Sequence, residues 1–148
     1  MKDLLLLWHE MMHSHKGMHP DFRIAENADL AVASNFTALF DDSLTAFIVA
    51  EEDHQIVGML IAQVRHGLPY TATEISGYIR DVSVTKVFRG KGIGRELAEA
   101  GVKFLKSKNV EYIDLITGSK NDISNDFWEN MGFKETLKVR TLSTESGL

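Results

Sequence analysis

Cysteine is absent from the chain of 148 residues. Its absence excludes disulfide bonds, thiolate metal ligands and a cysteine nucleophile, and it agrees with a location in the cytoplasm. Long apolar runs are absent as well. The run at residues 4–8 is followed at once by His and Glu, and it falls short of the roughly eighteen residues that a membrane-spanning helix needs. We therefore expect no signal peptide and no membrane anchor.

Basic residues are fewer than acidic residues. The chain has 16 Lys and Arg against 21 Asp and Glu, and its formal net charge is −5 at pH 7. Surfaces that bind nucleic acid or anionic membranes need an excess of clustered basic residues, so we expect neither partner. There is one local exception, where Lys86, Arg89, Lys91 and Arg95 lie within ten positions. Such a basic island suits a small polyanion.

The pattern of apolar residues predicts the order of helices and strands. Helices are expected over residues 4–15, 28–40, 92–107 and 123–131, and strands over 45–50, 56–65, 75–85, 112–117 and 133–142. The side chains expected to face the core are Leu4, Leu7 and Met11 in the first helix, flanked by Leu5, Trp8 and Met12, and Leu30, Phe36, Leu39 and Phe40 in the second. Two helices, an antiparallel meander and a β-α-β-α-β run predict a mixed α/β sheet flanked by helices.

The most informative segment is the glycine loop, residues 89–94, which joins the third strand to the third helix. It reads Arg89-Gly-Lys-Gly-Ile-Gly94. Backbone N–H groups at the start of a helix have no intrahelical acceptor and carry the positive end of the helix dipole, so they bind anions. Three glycines let the anion approach, and the Arg and Lys add charge. The loop therefore predicts a phosphate site.

The spacing of this loop narrows the ligand. A nucleotide P-loop requires a Gly-Lys-Ser/Thr ending, which is absent, and the dinucleotide pattern Gly-x-Gly-x-x-Gly does not fit the glycine spacing. The pattern Arg-x-x-Gly-x-Gly does fit. It resembles the pyrophosphate loop of the GNAT superfamily of acyl-CoA N-acyltransferases. Upstream, Tyr78-Ile-Arg-Asp-Val-Ser-Val84 resembles the strand of that family that pairs with pantetheine, and residues 121–133 resemble its closing motif.

The resemblance covers roughly residues 44–142, and it implies a GNAT-like three-layer fold in a single domain, residues 1–148. The family usually begins with a short edge strand before its first helix, but here only three residues precede Leu4. That strand is absent, or a partner supplies it, or the natural start lies upstream. An exposed sheet edge is a liability that dimerisation covers, so we expect a homodimer.

The resemblance also implies acetyl-CoA as the cosubstrate, without a metal. The residues that it assigns to cofactor binding are Val82, Ser83, Val84, Arg89, Gly90, Lys91, Gly92, Ile93, Gly94, Arg95, Asn121, Phe127 and Trp128. Backbone amides near Val82 and Val84 would pair with pantetheine, and one of them would polarise the thioester carbonyl. From its position before a helix, Asn121 is equally suited to be an N-cap.

Acetyl transfer needs a neutral amine, whereas a lysine-like amine is neutral in roughly one molecule in 2,500 at pH 7. The resemblance places a general base at Asp81, with Glu74 and Glu52 as lesser alternatives. Asp81 is equally suited to pair with Arg80. The amine would attack directly in a ternary complex, because the chain has no Cys for a covalent acyl-enzyme.

The family's general acid is a tyrosine that immediately follows the Phe of the closing motif, but this chain has Trp128 there. An indole N–H donates a hydrogen bond but cannot protonate a thiolate as a phenol does. The thiolate then leaves unaided or takes a proton from water, or Tyr78, Tyr70 or Tyr112 supplies one. The same departure supports an alternative function, a catalytically weak CoA-binding sensor or regulatory module.

A second motif points elsewhere. His9-Glu-Met-Met-His13 matches the zinc-protease pattern His-Glu-x-x-His, in which two His bind zinc and Glu10 would activate water. No later helix offers a clear third His ligand, so zinc hydrolysis is a remote alternative. The main hypothesis is acetyl transfer to a primary amine of a small molecule or protein. Its acceptor site would be lined by the first helices and by residues 66–73, which include His66 and Tyr70.

Overall fold

The structure, a computed structural model, describes residues 1–145. Its helices are α1 (Lys2–Ser14), α2 (Ala28–Phe40), α3 (Ile93–Ser107) and α4 (Asp122–Asn130), and its strands are β1 (Thr45–Glu52), β2 (Gln55–His66), β3 (Ile75–Val84) and β4 (Ile113–Asp114). Short 3-10 turns occupy Pro20–Phe22 and Lys86–Phe88. By their contacts the residues divide into two units, Met1–Ile116 and Thr117–Leu148.

The first unit contains the sheet, whose strand order is β1-β2-β3-β4. The first three strands are antiparallel, and β4 runs parallel to β3. This arrangement confirms the predicted mixed α/β sheet with an antiparallel meander. Within residues 1–145 no strand precedes α1, and β1 forms one edge of the sheet. No helix in this part of the chain is both long and apolar enough to cross a bilayer.

The long strand β2 divides the core into two layers, because neighbouring residues of a strand point to opposite faces. On one face, Met59 and Ile61 pack with residues of α1 and α2 in a buried cluster whose other members are Leu4, Leu7, Phe36 and Leu39. On the other face Leu60 meets α3. The two layers hold helices on both sides of the sheet, as the three-layer prediction requires.

Helix α3 lies very close to the sheet, and glycines make this approach possible. A Cβ atom at Gly101 of α3 would lie 2.6 Å from Leu60 Cδ2. A Cβ atom at Gly58 would lie 2.9 Å from Leu97 Cδ1, and one at Gly77 would lie 2.9 Å from Leu105 Cδ1. Distances under 3 Å are overlaps, so a larger residue at any of these positions would require the facing Leu side chain or the helix to shift. These glycines therefore allow α3 to pack closely on β2 and β3.

The second unit, considered by itself, contains α4. The Asn125 side chain donates to the Gly118 carbonyl at 3.1 Å, which ties the helix to the segment before it. Trp128 is buried and packs edge-on against Phe127 and Phe133, with ring centroids 4.9 and 5.2 Å away. These ring contacts form a small apolar cluster around the C-terminal half of α4.

Three sequence predictions are wrong in part. The strand expected over 133–142 is absent among the described residues, and Leu137, Val139 and Leu142 are exposed. A strand exists only when a neighbour pairs with it, which alternation along one segment cannot establish. Likewise β4 comprises two residues instead of 112–117. In α2, Phe36 and Leu39 are buried as expected, but Leu30 and Phe40 are 77% and 49% exposed.

Candidate active site

The strands β3 and β4 part after a short contact. They pair only at Gly77 with Ile113 and at Tyr78 with Asp114, although β3 continues to Val84. Beyond Tyr78 and within residues 1–145, sheet pairing of β3 involves β2 alone. The other edge of β3, which includes Val82, Ser83 and Val84, therefore carries backbone groups free of sheet pairing. An extended ligand can pair with such an edge.

A β-bulge lies in the same strand. Ile61 of β2 faces Asp81, whereas its neighbour Ala62 faces Ile79, so Arg80 is an extra residue on β3. A bulge interrupts the alternation of side chains. It places Arg80 and Asp81 on one face of the sheet, although consecutive residues of a regular strand point to opposite faces.

This geometry makes Asp81 part of a polar chain. Arg80 Nε donates to Asp81 Oδ2 at 2.8 Å, and Arg80 Nη2 donates to Asn35 Oδ1 of α2 at the same distance. The Asp81 side chain is only 15% exposed. The structure thus contains the pairing with Arg80 that the sequence analysis weighed against a catalytic role. The role of Asp81 as the base stays a prediction.

The other candidate acids and bases lie in different settings. Glu52 ends β1 beside the hairpin turn, and Glu74 is an exposed residue that precedes β3. Tyr70 is 82% exposed in the loop before β3, and Tyr112 is half exposed. Tyr78, by contrast, lies on β3 two positions before Arg80. The centre of its ring is 3.4 Å from Cζ of the Arg65 guanidinium.

The glycine loop connects β3 to α3 with the backbone geometry that its sequence predicts. Gly90 and Gly92 have φ of +75° and +86°, in the left-handed region that only glycine adopts without strain. Gly92 is the N-cap of α3 and contributes no side-chain cap. The first helical hydrogen bond runs from Glu96 N–H to Gly92 O, so the amides of Ile93, Gly94 and Arg95 have no intrahelical acceptor.

The space above these amides fits an anion. A Cβ atom at Gly90 or Gly92 would meet no atom within 4 Å, and one at Gly94 would meet only Val84 Cγ2 at 3.8 Å. The chain therefore leaves open space beside a row of unpaired N–H donors at the positive end of a helix. A phosphate group needs such donors and such room, so the residues present fit the pyrophosphate of CoA.

Basic side chains surround this loop. Arg89 Nε donates to the Val84 carbonyl at 2.8 Å, and its Nη2 lies 3.6 Å from Glu10 Oε2. The Lys91 ammonium lies 4.9 Å from the centre of the Phe88 ring, and Arg95 pairs with Glu99 one turn along α3. The predicted basic island is thus anchored at the loop instead of scattered over the surface.

The closing-motif residues lie in the second unit. Asn121 is the N-cap of α4, and its side-chain oxygen accepts from Ser124 N–H at 3.3 Å. This contact is the capping role that its sequence position allows. Cofactor contacts by Asn121, Phe127 and Trp128 remain predictions.

The histidine motif of α1 does not form a metal site. His9 Nε2 lies 2.6 Å from Asp29 Oδ1, and His13 Nδ1 donates to the His9 carbonyl. Glu10 accepts instead from Thr85 and Lys86, in the segment that precedes the glycine loop. In the described part of the chain, no three His, Cys, Asp or Glu residues are grouped so that they can hold a metal. The hydrolase alternative therefore finds no support.

Residues 8–133, which include the parted strands, the bulge and the glycine loop, match the Acetyltransferase (GNAT) family. The chain belongs to this family. A GNAT relative, N-alpha-acetyltransferase 30 of Schizosaccharomyces pombe, is 28% identical over 60% of this chain and 56% of its own length. The chain thus spans little more than half the length of that curated relative.

Solved structures show the same GNAT fold. A tetramutant protein of Bacillus halodurans superposes with a TM-score of 0.83 at 22% identity, covering 96% of this chain and 92% of its own. The aminoglycoside acetyltransferase AAC(6')-Iy, solved with the bisubstrate analogue CoA-S-monomethyl-acetylneamine, gives a TM-score of 0.71 at 20% identity, covering 95% and 91%. The fold is therefore that of the GNAT family.

Two of the three glycines of the loop, Gly92 and Gly94, should differ in how an alanine substitution affects stability. Gly92→Ala places a Cβ atom on a left-handed residue and should lower the free energy of unfolding by about 1–2 kcal/mol. Gly94→Ala meets only an ordinary contact and should leave it within about 0.5 kcal/mol. Urea unfolding followed by circular dichroism measures both. Equal losses for the two variants would contradict the loop conformation described here.

Proposed function

We propose that this protein transfers the acetyl group of acetyl-CoA to a primary amine, by direct attack in a ternary complex. One observation carries the proposal. The uncapped amides at the start of α3 and the free edge of β3 are joined by one short loop, so a single chain segment offers both an anion site and a strand edge. CoA combines a pyrophosphate with an extended, amide-bearing pantetheine arm. The anion site suits the pyrophosphate, and the strand edge suits the arm.

Acetyl-CoA supplies the activated acetyl group. The amides of Ile93, Gly94 and Arg95 would hold the pyrophosphate, with Arg89 and Lys91 balancing its charge. The main chain of Val82, Ser83 and Val84 would align the pantetheine arm along β3. A main-chain N–H aimed at the thioester oxygen would stabilise the charge that develops there.

Asp81 would remove the proton that the attacking amine must lose. The amine nitrogen forms a bond to the carbonyl carbon, the carbon–sulfur bond breaks, and CoA departs as the thiol after water or Tyr78 returns a proton to sulfur. The Arg80 and Asn35 contacts would hold the carboxylate in place for this step. Trp128 would not act as the general acid, because an indole N–H does not protonate a thiolate.

The acceptor is a primary amine of a small molecule or a protein. The relatives support this class, because one is named an N-alpha-acetyltransferase and another was solved with an acetylneamine analogue. The first helices and residues 66–73, with His66 and Tyr70, would border the acceptor. We also propose that both units form one domain, because the family match extends across both, and that the protein is a cytoplasmic homodimer paired near the β1 edge.

Binding and turnover test the proposal separately. Calorimetry should detect CoA binding at micromolar affinity, since several charge-assisted hydrogen bonds of about 1.5–3 kcal/mol each act together. A thiol-release assay with acetyl-CoA should show turnover for at least one member of an amine panel. Absence of CoA binding would overturn the proposal. Tight CoA binding without turnover of any amine would replace it with the CoA-sensor function.

The base can be tested through pH. Asp81→Asn should lower kcat/KM near neutral pH by about 10²–10⁴-fold, because the amine then loses its proton unaided. The rate of the variant should follow the amine's own deprotonation and keep rising into the alkaline range.

Asp114→Asn on the neighbouring strand is the matched control, since it makes the same carboxylate-to-amide change at an exposed residue of β4. A wild-type pH profile in the Asp81→Asn variant would remove Asp81 from the role, whatever the change in KM.

A further inference from the structure

The carboxylate of Glu10 accepts hydrogen bonds from the segment that leads into the glycine loop. Its Oε1 accepts from the Thr85 hydroxyl at 2.8 Å, and its Oε2 accepts from Lys86 N–H at 3.1 Å. The same Oε2 lies 3.6 Å from Arg89 Nη2. One side chain of α1 therefore contacts three residues of the chain between β3 and α3.

A further hydrogen bond joins α1 to the end of β3. Ser83, which is 6% exposed, donates its hydroxyl to the Leu7 carbonyl at 3.0 Å. Leu7 and Glu10 are three positions apart and lie on the same side of α1. The end of β3 and the turn that follows it are thus fastened to one face of the helix, and Arg89 is held between Glu10 and the Val84 carbonyl.

Electrostatics alone would argue against a carboxylate at this place. A negative charge beside an anion-binding loop repels the ligand, so its removal should strengthen binding. The contacts of Glu10 act in the opposite sense, because they fix the backbone of the turn and the direction of Arg89 before the ligand arrives. Preorganisation of this kind raises affinity, because less conformational entropy of the turn and of the Arg89 side chain is lost when the ligand binds.

We propose that Glu10 is a positioning residue for the pyrophosphate loop, and that its contacts with Thr85, Lys86 and Arg89 raise the affinity for CoA. This role rests on the proposed function, and it replaces the zinc-protease interpretation of the same glutamate. Glu10 does not touch the reacting atoms. Its effect reaches the ligand through the turn and through Arg89.

The test compares Glu10→Gln with Glu96→Gln in the full chain. Both changes remove one negative charge near the loop, but Glu96 lies exposed in the first turn of α3 and Glu10 holds the turn. Calorimetry should show that Glu10→Gln binds CoA about tenfold more weakly, because a Gln cannot replace both carboxylate acceptors. Glu96→Gln should bind CoA as tightly as the wild type or more tightly.

Two further measurements separate positioning from general damage. In Glu10→Gln, KM for acetyl-CoA should rise about tenfold while kcat and KM for the amine stay within about twofold. Thr85→Ser should keep the wild-type CoA affinity, because it keeps the hydroxyl that bonds Glu10, and Thr85→Val should lose part of it. CoA affinity in Glu10→Gln equal to or above that of the wild type would overturn the proposal.

Hydrogen exchange distinguishes failure of this inference from failure of the proposed function. In ligand-free protein the Lys86 amide should exchange about tenfold faster in Glu10→Gln than in the wild type, because its acceptor is weakened. Unchanged exchange would overturn the role of Glu10 even if CoA binds. Wild-type protein that binds no CoA would overturn the proposed function, and the exchange rate would still report whether Glu10 holds the turn.

Discussion

The close packing of α3 on the sheet is the constraint on which the site depends. Gly58 and Gly77 on the strands and Gly101 on the helix leave room for the leucine side chains that pack between the two layers. The helix consequently starts beside the end of β3, where Gly92 leaves its first amides uncapped. The anion site therefore follows from helix packing as much as from the glycine loop itself. A loop of the same sequence on a displaced helix would offer the same donors in the wrong place.

A second consequence follows from one extra residue in β3. The bulge at Arg80 turns two consecutive side chains to one face, and the early separation from β4 leaves the far edge of the strand free of sheet pairing. One face of the strand then presents the Arg80–Asp81 pair, while its edge presents backbone groups. A regular strand paired on both sides would have neither feature. The acid–base candidate and the proposed pantetheine site thus originate in the same irregular strand.

Local patterns predicted much of this protein. The loop, α3 and the range of β3 are recognised from residues that are close in sequence, since glycines, basic residues and an amphipathic helix follow one another there. The buried face of α2 was harder to predict, because that helix is apolar on several sides and periodicity does not identify the side that packs. The prediction of a strand over 133–142 was wrong, because strand formation depends on a partner that lies elsewhere in the chain.

The contacts that complete the site could not be predicted from the sequence either, because their partners also lie far apart in the chain. Glu10 reaches Thr85 and Lys86 across about half of the chain, and Asn35 reaches Arg80 across 45 positions. No periodicity or motif signals such pairs, and the motif that did contain Glu10 suggested zinc. No residue type in β3 requires the bulge, so the sequence of the strand does not indicate it. Three-dimensional packing determines these features.

The proposed function depends above all on the binding of the CoA pyrophosphate by the amides at the start of α3. Amide resonances of ¹⁵N-labelled protein titrated with CoA test it most directly. We expect saturable shifts that are largest at Ile93, Gly94 and Arg95, and no shift of these amides with pantetheine, which lacks the pyrophosphate. Saturable CoA binding that leaves these three amides unshifted would contradict it.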